Sequence, residues 1–158
     1  SVVGNFGASG ATVSFSSYKP YYFEPAFSRA KRFEPTTVII MLGTNDARAD
    51  YYQQINNFVA DYTRILNSIQ TLESKPRIFL VKPPPIFNNT FYLNGTSFVE
   101  GVLPRIEQVA STLGLPTIDV YTPFVNHPEY FPDGVHPNRD GAQIIANIVY
   151  RAITSNST

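Results

Sequence analysis

Three short apolar runs, separated by stretches with helical spacing, constrain this chain more than any other feature. Thr37–Leu42 (TVIIML) is apolar almost throughout, as a strand covered on both faces is. Arg77–Lys82 (RIFLVK) is a second such run, stopped by Pro83-Pro84-Pro85, and Thr117–Val120 is a shorter third. Between the first two, Ile55, Phe58, Val59, Tyr62, Ile65, Leu66, Ile69 and Leu72 fall three and four apart, which makes one apolar helical stripe. A further helix is expected near Val99–Leu113, with Val102, Ile106, Val109 and Leu113 inward and Gly114 as its stop. A short helix is expected after Tyr22 with Pro25 in its first turn, and a last one over about Arg139–Ile153. Ser1–Asn5 (SVVGN) reads as the end of one more strand. Strands alternating with helices imply a parallel sheet, whose crossovers these lengths supply. The expected fold is therefore α/β, a three-layer, doubly wound parallel sheet. Ligands of such sheets sit beyond the carboxyl ends of the strands.

Composition narrows the functions. At 158 residues the chain is one domain with a sizeable core. Twelve basic and twelve acidic residues cancel, so the basic field that nucleic acid requires is missing. No apolar run approaches the roughly 20 residues of a membrane span, and no membrane partner is expected. With no cysteine, disulfides and thiolate zinc sites are excluded. Three glycosylation sequons, at Asn88, Asn94 and Asn156, hint at a secreted or extracellular protein.

Three clusters of unusual residues fall at the expected carboxyl edge. Asn5-Phe6-Gly7-Ala8-Ser9-Gly10-Ala11-Thr12 follows the first run, and glycines there let a backbone N–H point outward; its plain reading is a Gly-rich turn. Gly43-Thr44-Asn45-Asp46 follows TVIIML. The Asn45 amide offers a neutral donor to developing negative charge, while Asp46 suits tying down a loop. In Asp133-Gly134-Val135-His136-Pro137-Asn138 the carboxylate can fix the tautomer of His136, leaving the other ring nitrogen as a general base. The plainer reading is a helix start capped by Asn138. His127 reads as a surface histidine, and a metal site drawn from His127, His136, Asp133 and Glu129 is the disfavoured alternative.

Taken in order, these clusters resemble those of the SGNH hydrolases, also called the GDSL esterase family. The segments VIIMLGTNDAR, RIFLVKPPPIF and FPDGVHPNRDGAQIIA resemble its sialate O-acetylesterase-like branch. The resemblance implies a flavodoxin-like fold, His136 and Asp133 as catalytic residues, Gly10 and Asn45 as oxyanion donors, and neither metal nor cofactor. It also implies a short acyl ester, such as an acetylated sugar, as substrate. Tyr18, Tyr21, Tyr22, Phe91, Tyr92 and Tyr130 are candidates to line a sugar site.

The family's first block, a Gly-Asp-Ser carrying the nucleophile, has no counterpart here. The domain is thus expected to span residues 1–158 but to be N-terminally incomplete, lacking its first, central strand, with the nucleophile absent from the chain. Ser9 is a weaker alternative nucleophile, with Ser1, Ser14, Ser16 and Ser17 behind it. A complementing N-terminal segment, or self-association through open sheet edges, is the expected partner. The competing function is a catalytically inactive binding or assembly subunit.

Overall fold

A computed structural model of the chain describes residues 3–155. Its sheet has three parallel strands in the order β1 (Thr37–Ile40), β2 (Arg77–Lys82) and β3 (Thr117–Asp119). Thr37 pairs with Arg77, and Leu80 with Thr117. Among the described residues, five α-helical segments accompany it. These are α1 (Pro25–Arg32), α2 (Phe58–Gln70), the single turn α3 (Gly95–Ser97), α4 (Leu103–Leu113) and α5 (Arg139–Ser155). A π-helical turn, Phe98–Val102, joins α3 to α4.

The period-two alternation of β2 explains the layering. Ile78 and Leu80 enter one core with Phe27 of α1, Phe58, Tyr62, Ile65 and Leu66 of α2, and Ile106 and Val109 of α4. Phe79 and Val81 enter a second core with Ile118, Val120, Phe124 and Phe131, against Ile144, Ile145 and Ile148 of α5. Helices therefore cover both faces of the sheet, and a central strand buried on both sides reads as a continuous apolar run.

Two expectations fail at the other edge. Residues Val3–Asn5 form no strand, Val3 being 90% exposed, and Ser1 and Val2 lie outside the described residues. The run TVIIML is not covered on both faces either: Ile40 is buried, but Ile39 and Met41 are 43% and 45% exposed. One cause underlies both. Among the described residues β1 pairs only with β2, and its other edge lines a cleft of about 1300 Å³. Residues 3–8 also line it, with Phe27, Ile69 and Leu72 from α1 and α2 and the turn beyond, and Ile153 from α5. Both helical layers thus reach past the edge of the sheet.

Candidate active site

The Gly43–Asp46 cluster follows the carboxyl end of β1, and the Asp133–Asn138 cluster lies between β3 and α5. Before α5, Asp133 Oδ1 accepts the backbone N–H groups of Val135 (2.9 Å) and His136 (2.7 Å). Its other oxygen lies 2.8 Å from His136 Nδ1. The His136 N–H, the Val135 N–H and then the imidazole hold this exposed carboxyl down to about 2, so it is ionised throughout the neutral range. An ionised acceptor selects the tautomer protonated on Nδ1 and leaves Nε2 as the proton acceptor. Asn138 caps α5 by accepting the Gly141 N–H at 2.9 Å, so the plainer reading of that residue holds beside the pair.

Across the rim, Asn45 sits in a 3₁₀ turn, Thr44–Ala47, and its Nδ2 donates to the Ala11 carbonyl at 2.9 Å. That bond ties Asn45 to the turn holding Gly10, whose φ of +73° a residue with a side chain rarely adopts. Among the described residues the Gly10 N–H has no internal acceptor, and the Asn45 amide keeps a second N–H. The Asn45 side chain is therefore fixed against the turn that carries Gly10. Beneath them Asp46, 2% exposed, accepts the amides of Val13 (2.9 Å) and Ser14 (2.8 Å). Asp61 of α2 accepts the next amide, Phe15, at 2.9 Å. Burial pushes the Asp46 carboxyl up to about 7. Asp46 ties down a loop, as its position predicts, whereas Asp61 escapes notice because it reads as one polar member of the α2 stripe.

One loop joins the two halves. The Phe87 N–H donates to the Gly134 carbonyl at 2.8 Å, beside His136. A β-carbon at Gly134 would overlap the Asn88 carbonyl oxygen. At the other end the Asn94 N–H reaches the Ala47 carbonyl at 3.1 Å, and Leu93 bridges Arg48, just past Asn45. The loop after β2 thus spans from the imidazole to the amide donors, and Phe91 at its tip packs edge-on to the His136 ring, centroids 5.4 Å apart.

The sequence profile of the GDSL-like lipase/acylhydrolase family matches residues 1–144. The chain belongs to that family. It is 29% identical, over an alignment of 169 residues, to an acetylxylan esterase of Xylanibacter ruminicola; the match takes in 96% of this chain. The chain spans about a third (35%) of the length of that curated relative. In fold it is similar to a lipase/acylhydrolase from Enterococcus faecalis, with TM-score 0.68, 22% identity, and 92% of this chain and 72% of that one covered. It is also similar to a putative arylesterase from Agrobacterium tumefaciens, with TM-score 0.72, 19% identity, and 92% and 76% covered. The GDSL-like chain therefore has the SGNH hydrolase fold, with helices on both sides of a parallel sheet.

The serines weighed as nucleophiles fare unequally in this GDSL-like chain. Ser9 is exposed, whereas Ser14 is buried and its hydroxyl has no partner among the described residues. Ser17 hydrogen bonds with Thr12, and Ser1 lies outside the described residues. Among the described residues, none of these serines hydrogen bonds with His136. The aromatic candidates separate as well. Tyr21 is buried, donating to the Phe6 carbonyl, and Tyr22 packs with Phe15, Phe23 and Phe27. Tyr130 packs against Phe124 and His127. His127 itself is an exposed histidine paired with Glu129 at 2.8 Å.

Proposed function

We propose that this chain carries the acid–base and oxyanion parts of a serine esterase that removes acetyl groups from carbohydrate. The observation that supports it is the Asp133–His136 pair, with one nitrogen held by an ionised carboxylate and the other open. In this reading a serine hydroxyl attacks the ester carbonyl while His136 Nε2 takes its proton, and Asp133 stabilises the imidazolium. The Gly10 N–H and the Asn45 amide hold the oxyanion. Collapse breaks the bond to the alcohol oxygen, which leaves with the proton from His136. Water then attacks the acyl-serine with His136 as base, releasing acetate and restoring the hydroxyl.

In this reading the serine is delivered by a strand seated along the free edge of β1, because the cleft there is lined by Gly43, Thr44 and Asn45 and by Ala8 and Ala11, which flank Gly10. The likeness to an acetylxylan esterase supports acetylated carbohydrate as substrate. The exposed sequon residues Asn88 and Asn94 support an extracellular setting.

A second reading, an inactive assembly subunit, draws on the same open edge and its exposed Ile39 and Met41. Incubation with p-nitrophenyl acetate, with and without a synthetic strand peptide containing Gly-Asp-Ser, separates the two. Hydrolysis that requires the peptide supports the esterase. Silence in both arms, from folded protein with the peptide bound, supports assembly.

A further inference from the structure

The loop at Asn88–Asn94 is built more firmly than a connection requires. The Asn89 side chain uses its full capacity inside it: Nδ2 donates to the carbonyls of Phe87 (2.8 Å) and Leu93 (3.0 Å). Its Oδ1 accepts the N–H groups of Phe91 (2.9 Å) and Leu93 (3.3 Å). Both loop ends are fastened, one to the His136 turn and the other to the Asn45 turn. What this frame presents to solvent is aromatic. Phe91 is 40% exposed, and Tyr92 is 76% exposed in a left-handed backbone conformation, φ +61°. Such a conformation is costly for a residue with a side chain and clusters where function holds it.

The reaction chemistry says which part of a substrate lies there. In the esterase reading, on which this inference rests, His136 returns its proton to the departing alcohol oxygen, so the alcohol must lie beside the imidazole. On this loop the side chain packed on that imidazole is Phe91. We infer that Phe91 and Tyr92 form the platform for the alcohol half of the substrate, and that this half is a pyranose ring of an oligosaccharide. An aromatic face offers a large, rigid apolar surface to the C–H face of a sugar. Both side chains are exposed, so the platform is accessible to a sugar unit within a longer chain. A small apolar alcohol would gain little there, since compact ligands are bound by burial in concave sites.

Two measurements on the 158-residue chain with its strand peptide bound test this, one of them independent of catalysis. In the first, xylotetraose is titrated and followed by NMR of the aromatic rings. The wild type should show shifts at Phe91 and Tyr92, with binding weakened at least tenfold by Phe91→Ala and partly restored by Phe91→Trp. Tyr92→Ala, at a more exposed position, should weaken binding too, and thermal melts confirm that each variant is folded. In the second, kcat/KM is compared for acetylated xylotriose and p-nitrophenyl acetate; Phe91→Ala should lower the sugar-to-aryl ratio at least tenfold. Xylotetraose binding that is absent, or equal in wild type and both alanine variants, overturns the inference. So does an equal fall for both esters, which would make Phe91 a mere support for the His136 ring. If neither ester is cleaved but xylotetraose binding still depends on Phe91, the platform stands and the esterase reading falls.

Discussion

Replacing Asp46 tests how the oxyanion side of the rim is held. Its two oxygens accept two successive buried amides, Val13 and Ser14, and no ion pair with a basic group is found for it among the described residues. Asp46→Ala leaves both amides unsatisfied, at about 1–3 kcal/mol each, so the expected loss is about 2–6 kcal/mol. That is a large part of the 5–15 kcal/mol typical of a domain. Asp46→Asn keeps one acceptor and turns an NH₂ group on the other amide, so about half that loss is expected. Urea unfolding measures both.

The pH dependence supplies a second signature with a definite sign. Burial raises the folded Asp46 pKa to about 7, above the usual ~3.9 of an unfolded aspartate. Between those values the folded state holds a proton that the unfolded state has lost. Its contribution is therefore fully present below about pH 4 and is lost as pH rises to about 7, up to about 4 kcal/mol for three pK units. The carboxamide introduced by Asp46→Asn does not titrate, so the stability difference between wild type and this variant should shrink or reverse as pH is raised from 4 to 7. An Asp46→Ala protein within 0.5 kcal/mol of wild type, or a difference that is flat or rises with pH, refutes the reasoning.

Other substitutions probe the remaining contacts, with hydrolysis by the peptide-complemented protein as the readout. Asp133→Asn presents a donor or a weaker acceptor to Nδ1 and loses tautomer control; the equivalent change in serine proteases costs about 10⁴ in kcat, and a loss below tenfold would exclude the proposed role. Asn45→Ala should lower kcat by about 10²–10³ through the missing oxyanion donor, with KM little changed. Gly134→Ala meets the Asn88 carbonyl at a backbone φ of +84°. It should cost about 1–3 kcal/mol and shift the Phe91 ring resonances, because the loop after β2 must move; an unshifted spectrum contradicts the anchoring of that loop on the His136 turn.

How much of this was legible in the sequence follows from how local each signal is. RIFLVK forms a strand over its full length because proline ends it and both helical layers bury it. Pro25 and Gly114 mark helix ends for reasons confined to their own backbones. Asp133 and His136 are three residues apart, so their pairing needs only the turn between them. TVIIML misleads because an apolar run records what a strand is suited to lie against, and the edge of β1 faces an open cleft. Ser1–Asn5 misleads similarly over its described part, Val3–Asn5, which pairs with no strand among the described residues. Asp61 and Asn89 could not be singled out: their partners are backbone groups, and backbone groups leave no trace in a side-chain pattern.

The measurement that bears most directly on the central proposal is covalent trapping. The chain, its strand peptide containing Gly-Asp-Ser and an aryl phosphonofluoridate are incubated together, and the adduct is located by mass spectrometry. The hydroxyl of an activated serine displaces fluoride, and its proton goes to His136. The account predicts label on the peptide serine with wild type and labelling at least 10³-fold slower with His136→Ala. Equal labelling of the two proteins, or label on Ser9 of the chain itself, contradicts it.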